Sequence, residues 1–227
     1  MTETVIFILE IIGTIAFAWS GAIVGIKKEM DIFGVVILGT VTAVGGGIIR
    51  DLVLGNTPPT TFLNPIYALI AVAVSLIAFV PFVRLQFLKH KKRNDLFMLI
   101  MDSLGLGIFT VVGIGVAYES EFAEFNILLF TFVGVITGVG GGVLRDIMAG
   151  QTPYIFVKHF YACASLIGAL LTIAILPLVG ITSSMLIGAV VIMILRFLAA
   201  YYRWSLPKAH DLLKKPTAEE SKEEIKQ

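Results

Sequence analysis

The chain has 227 residues, of which 57% are hydrophobic and only 15% are charged, with a formal net charge of +1. Together with a mean hydropathy of +0.94, this composition excludes an ordinary soluble domain and indicates a membrane protein. The single cysteine, Cys163, excludes a disulfide scaffold and a cysteine-based metal site.

Seven apolar segments each have about the 20 residues that an α-helix needs to cross the hydrocarbon layer. They cover residues 4–26, 32–54, 62–83, 96–118, 126–149, 159–179 and 181–203. Pro177 and Gly180 divide the last two segments. The sequence therefore predicts an all-α membrane protein with seven transmembrane helices, followed by a polar cytoplasmic tail at residues 205–227.

Lysine and arginine are concentrated in the connections on one side of the predicted membrane. They are Lys27, Lys28, Arg84, Lys89, Lys91, Lys92, Arg93, Lys158, Arg203, Lys208, Lys214 and Lys215. The positive-inside rule places this side in the cytoplasm and the N-terminus outside, in a bacterial or archaeal cell (inner) membrane. We interpret the basic segment 84–95 as a cytoplasmic loop that sets topology; binding of anionic lipid headgroups is the alternative.

The chain contains an internal repeat. VGGGIIRD at residues 44–51 recurs 95 positions later as VGGGVLRD at residues 139–146. An offset of 92 positions matches Glu10 with Asp102 and Phe17 with Phe109.

The repeat predicts two three-helix units, at residues 1–83 and 96–179, and a seventh helix at residues 180–204. Because each unit crosses the membrane an odd number of times, the second unit must be inverted relative to the first. Inverted repeats of this kind are common in transport proteins.

Three consecutive glycines lie near the middle of the second and fifth predicted helices. They are Gly45, Gly46 and Gly47 in the second, and Gly140, Gly141 and Gly142 in the fifth. Three interior glycines weaken a helix by about 3 kcal/mol relative to alanine, so they predict a kink or break; close helix packing is the alternative. Two breaks meeting near the bilayer centre would expose backbone polar groups and would indicate a polar pathway.

Intramembrane charges accompany both triplets. They are Glu10, Arg50 and Asp51 in the first unit, and Asp102, Arg145 and Asp146 in the second. Their depths lead us to expect that Glu10 pairs with Arg50 and Asp102 with Arg145, with the two remaining aspartates as alternative partners. Such pairs either hold helices together or line the pathway, and both interpretations stay open. Arg196, in the seventh helix, is interpreted as reaching the cytoplasmic surface.

Glycines followed by a basic residue also occur in phosphate-binding loops, but here no strand precedes them and no Lys-Ser/Thr follows. The sequence contains no nucleophile and base set and no metal-ligand cluster. We therefore expect neither an enzyme nor a cofactor, resident metal or nucleic-acid partner.

The three-plus-three-plus-one plan and the doubled GGG-x-x-Arg-Asp motif resemble the bacterial branch of the trimeric intracellular cation (TRIC) channel family. This branch overlaps uncharacterised bacterial membrane proteins for which transport of small amino acids, glycine in particular, has been proposed. The resemblance covers about residues 4–204.

The resemblance implies a homotrimer surrounded by membrane lipids, in which each subunit has its own pore for potassium and sodium. The pore would lie between the second and fifth helices, kinked at their glycine triplets. A monovalent cation channel is therefore the expected function. The alternative is a secondary transporter of a small amino acid such as glycine, because both kinds of protein use interrupted helices.

Overall fold

The computed structural model describes residues 2–89, 91–120, 126–157 and 160–204, so the predicted tail at 205–227 lies outside the described residues. These residues form α1 (Thr2–Lys27), α2 (Ile32–Val53), α3 (Thr60–Leu63), α4 (Ile66–Phe79), α5 (Pro81–Lys89), α6 (Lys91–Glu119), α7 (Ile127–Met148), α8 (Tyr154–Val157) and α9 (Tyr161–Tyr201).

The chain is a multi-pass, all-helical membrane protein. Within the described ranges, α1, α2, α6, α7 and α9 are long and apolar enough to cross a membrane. Their outward faces carry large apolar side chains, including Phe33, Leu128 and Leu178. An apolar surface of this kind suits contact with lipid. A helix can lie in lipid because it satisfies its own backbone hydrogen bonds.

Helix α9 contains a sharp change of direction at Gly180. Its backbone has φ 77° and ψ 166°, a conformation that glycine adopts without a side-chain penalty. A straight helix of 41 residues would be about 60 Å long, twice the thickness of the hydrocarbon layer. Gly180 therefore separates residues 161–179 from 181–201, at the division predicted from the sequence.

The third predicted helix is not a single helix. Residues 62–83 are instead divided among α3, α4 and α5, and α4 has only 14 residues. New helices begin at the two prolines, because Pro65 precedes α4 and Pro81 opens α5. Proline cannot donate a backbone hydrogen bond and disfavours a helical conformation in the residue before it.

The basic segment predicted as a loop is also different in the structure. Residues 84–95 belong to α5 and α6, apart from His90, which lies outside the described residues. The segment is rich in lysine, arginine and leucine, which favour helices, and it contains no glycine or proline. The side-chain amide of Asn94 donates to the carbonyl of Phe87 and links the two helices.

The predicted breaks at the glycine triplets are not present, because α2 and α7 each run through their triplet as one helix. The glycines instead allow the two helices to cross in direct backbone contact. A Cβ atom on Gly46 would lie less than 3.0 Å from the carbonyl oxygen of Thr137, and one on Gly141 equally close to that of Thr42. The close-packing alternative therefore describes this crossing.

The two copies of the repeat make the same contacts elsewhere. Gly21 of α1 packs on the carbonyl of Leu38 in α2, and Gly113 of α6 packs on that of Val133 in α7. The threonine hydroxyls near the crossing donate to these same carbonyls at 2.6 Å, Thr42 to Leu38 and Thr137 to Val133. Each copy therefore uses small residues to bring its first and second long helices together.

We predict that Gly46→Ala lowers the thermal unfolding midpoint of the detergent-solubilised protein. The added methyl group would have to push α7 away, and overpacking of this kind costs about 1–3 kcal/mol. Gly47→Ala is the matched control, because its Cβ would meet no neighbouring helix and would lie 3.8 Å from Nη2 of Arg50. Equal midpoints for the two variants would contradict the close crossing.

Candidate functional site

Arg145 of α7 lies at the centre of a fully buried charged cluster. Its Nη1 is 2.7 Å from Oδ1 of Asp102 on α6 and donates to the hydroxyl of Ser20 on α1 at 2.5 Å. Its Nε donates to Oδ1 of Asp146 at 2.8 Å, and the ring of Tyr154 lies 5.0 Å from its guanidinium carbon. Arg145 thus connects α7 to both α1 and α6.

Arg50 of α2 is the centre of a second, related cluster. Its Nε donates to Oδ1 of Asp51 at 2.8 Å, and its Nη1 is 3.4 Å from Oε1 of Glu10 on α1. The hydroxyl of Tyr67 on α4 donates to the other oxygen of Glu10 at 2.5 Å. The Glu10 side chain retains 17% exposure, whereas that of Asp102 retains 2%. The Arg50 cluster is therefore the looser and more open of the two.

Asp51 and Asp146 contact the arginines together with Glu10 and Asp102, not in place of them. Each also accepts a backbone hydrogen bond with its second oxygen, Asp51 from Thr60 and Asp146 from Tyr154, both at 2.8 Å. A carboxylate at the first turn of a helix is favourable. The two aspartates therefore attach the loops and short helices α3 and α8 to the buried arginines.

Each cluster is reached from a cavity. One, of about 330 Å³, is lined by Asp102 together with residues from the end of α1, the start of α6 and residues 181–201 of α9. The other, of about 30 Å³, is lined by Glu10, Arg50, Tyr67 and the hydroxyl-bearing residues Thr14 and Thr60. From Glu10 to Lys27, which lines the larger cavity, α1 rises about 25 Å.

The space between the cavities is closed in this structure. Phe17 of α1 and Phe109 of α6 pack with ring centroids 5.3 Å apart, and both are buried. Phe17 also contacts the glycine crossing, because a Cβ on Gly141 would lie 3.2 Å from its ring. The aromatic pair and the crossing together form an apolar constriction between the two charged clusters.

The predicted site residues therefore form two clusters with a constriction between them. The six charged residues divide into the Arg50 and Arg145 clusters, and Gly46 and Gly141 form the crossing. Gly45 packs against Leu144, and Gly140 against Gly46. A Cβ on Gly47 would lie 3.8 Å from Nη2 of Arg50, and one on Gly142 would lie 3.2 Å from the hydroxyl of Tyr161 and 3.8 Å from Nη2 of Arg145.

Sequence reasoning missed several members of the site. Tyr67 and Tyr161 occupy matching places in the two copies, 94 positions apart, and extending the repeat beyond the motif with this offset instead of 95 would have found them. Arg196 does not reach the surface as expected: it is 4% exposed, and its guanidinium carbon lies 4.6 Å from the centroid of the Tyr161 ring. A charged residue inside an apolar segment was the available signal.

Comparison with known proteins covers most of the described chain. A family described as "Glycine transporter" matches residues 7–82 and 99–177. The UPF0126 inner membrane protein YadS of Escherichia coli (strain K12) is 35% identical over 205 residues, covering 89% of this chain and 95% of that protein.

Solved structures are also similar to this chain over most of its length. A structure described as the basis for conductance through TRIC cation channels has 39% identity and a TM-score of 0.78, covering 93% of this chain and 98% of that one. A prokaryotic TRIC channel crystallised in 0.5 M KCl has 31% identity and a TM-score of 0.81, covering 90% and 100%.

The fold and the paired clusters define a multi-pass helical membrane protein of the TRIC architecture. The chain belongs to the family that contains the bacterial TRIC channels and the UPF0126 membrane proteins, the family matched under the description "Glycine transporter". The resemblance expected from the doubled motif is confirmed.

We predict that Asp102→Asn destabilises the protein more than Glu10→Gln. Removing one partner from a buried ion pair costs about 3–5 kcal/mol, whereas the longer, more open contact of Glu10 should cost about 1 kcal/mol. Thermal unfolding in one detergent measures both. Asp95→Asn, which removes an exposed partner of Lys27, is the control and should change the midpoint little. The reverse order of the two buried variants would refute the assignment of Asp102 to the tighter cluster.

Proposed function

We propose that this protein is a channel for the monovalent cations potassium and sodium. In this proposal each subunit of a homotrimer has its own pore, between α2 and α7, and the N-terminus lies outside the cell. The observation that carries the proposal is the pair of arginine–carboxylate clusters, each reached from a cavity, on opposite sides of the α2–α7 crossing. The relatives described as TRIC cation channels support it independently.

The charges of the clusters are compatible with cation passage. Each arginine is accompanied by two carboxylates, Arg50 by Glu10 and Asp51, and Arg145 by Asp102 and Asp146. The positive charge that would repel a cation is therefore neutralised at each end. Carboxylate, hydroxyl and tyrosine oxygens around Glu10 are suitable groups for replacing part of the water shell of a cation.

Opening would require movement at the centre, because Phe17 and Phe109 close the route between the cavities. In the proposal, α2 and α7 bend at their glycine triplets, where the helices are weakest, and draw the aromatic pair apart. The equivalent contacts of the two copies support a pseudo-two-fold axis through the crossing, as inverted three-helix units of a seven-helix subunit would have. The units would cover residues 1–83 and 96–179.

Secondary transport of a small amino acid such as glycine is the second candidate. It is supported by the description of the matched family and by the constriction between two cavities, an arrangement that also suits alternating access. A channel needs a continuous open route, whereas a transporter moves its solute by rocking around a central site.

Reconstitution of the purified protein distinguishes the two candidates. We expect unitary potassium currents in planar bilayers, which a rocking transporter is too slow to produce. Glycine-loaded vesicles prepared from the same sample provide the parallel measurement. Saturable glycine counterflow without unitary currents would reject the channel in favour of the transporter.

We also predict that Phe17→Ala increases potassium flux into vesicles, because loss of the Phe17 ring widens the constriction. Phe109→Ala should act in the same direction, since the two rings occupy equivalent positions. Phe33→Ala, at an exposed lipid-facing position, is the control. Unchanged flux in both buried variants, with normal folding, would place the pathway elsewhere.

A further inference from the structure

Arg196 introduces a charge that the internal repeat does not explain. It comes from residues 181–201, the segment that follows the two three-helix units. Its side chain lies over the ring of Tyr161, with 4.6 Å between the guanidinium carbon and the ring centroid, and it lines the larger cavity with Asp102. Tyr67, the counterpart of Tyr161, instead donates to Glu10 beside the small cavity.

The two clusters consequently differ in formal charge. The Arg50 cluster has two carboxylates, Glu10 and Asp51, and one arginine, so it carries one excess negative charge. The Arg145 cluster repeats this arrangement with Asp102 and Asp146. Arg196 then adds a positive charge within the same buried region, and the excess is cancelled.

The lining of the larger cavity extends the difference towards the membrane surface. Besides Arg196 it includes Lys27, Lys28 and Asp95, and the first of these lysines is paired with Asp95 at 3.2 Å. Among the described residues, this cavity and the Arg145 cluster together have four cationic side chains and three carboxylates. The Arg50 cluster at the Glu10 end has one cationic side chain and two carboxylates.

We propose that Arg196 makes the pathway electrostatically asymmetric and so determines its rectification and charge selectivity. The inference rests on the proposed channel function. Cations concentrate at the negative Glu10 end and are diluted at the Asp102 end. Cation current therefore flows more readily from the Glu10 end to the Asp102 end than in the reverse direction.

The burial of Arg196 makes its charge effective. A unit charge in a poorly hydrated region acts on a nearby ion much more strongly than an exposed charge, which water and salt screen. At a distance of about 10 Å from a cation, and with an effective dielectric constant between those of the protein surface and water, one unit charge changes the local cation concentration by roughly threefold to tenfold.

The test measures current at equal positive and negative voltages in symmetric KCl, and the reversal potential in a KCl gradient. Sidedness is assigned from protease access to a C-terminal epitope tag. Arg196→Gln removes the charge, and Arg196→Lys keeps it while replacing the planar group. Arg203→Gln removes an exposed arginine seven residues further along the chain and is the matched control.

We expect wild type, Arg196→Lys and Arg203→Gln to rectify alike. Arg196→Gln should reduce the current ratio by about threefold or more and raise the permeability of potassium relative to chloride. Rectification in Arg196→Gln equal to that of wild type would overturn the inference and leave the channel intact. Absence of any potassium current in the wild-type protein would instead refute the proposed function.

A second variant covers the case in which Arg196→Gln does not fold. Lys28→Glu changes an exposed residue of the same cavity and makes the Asp102 end negative again without altering a buried group. It should shift rectification in the same direction as loss of Arg196, most clearly at low KCl concentration, where an exposed charge is screened least. No shift in this folded variant at low KCl concentration would overturn the inference.

Discussion

The structure depends on keeping two arginines charged inside an apolar membrane. An isolated charge there is expensive, so each guanidinium group must be met by carboxylates from neighbouring helices. Glu10 comes from α1 and Asp102 from α6, while Asp51 and Asp146 come from the arginines' own helices. These contacts fix α1 against α2 and α6 against α7. The glycine crossing then joins the two halves by bringing α2 and α7 into backbone contact.

The same two features explain how the site is divided. An ion pair needs side chains that reach across an interface, whereas the crossing needs side chains to be absent. The motif GGG-x-x-Arg-Asp provides both within about two turns of one helix, so the arginine cluster always lies next to the narrowest contact. Two copies meeting at their glycines place one cluster on each side, with Phe17 and Phe109 between them.

Much of this arrangement could be predicted from the sequence, because charges, glycines and hydrophobic length are local signals. Glu10 lies near Arg50 and Asp102 near Arg145 as their depths suggested. The continuous helices could not be foreseen, because the cost of three glycines is outweighed by packing that depends on a segment 95 positions away. The division at Pro65 and Pro81 was overlooked because hydropathy averages over prolines. Arg196 was misplaced because its partner ring, Tyr161, is distant in sequence.

The interruption at Pro81 distinguishes the two halves of the molecule. Both halves have a short helix after the arginine motif, α3 in the first and α8 in the second, and then a longer helix that begins at residue 66 or 161. In the first half this longer helix, α4, ends after 14 residues and Pro81 opens α5, whereas residues 161–179 continue through Pro177 as one helix. A helix end lacks backbone hydrogen bonds that would resist bending. The first half therefore has a possible hinge point within its third segment that the second half does not have at the matching place.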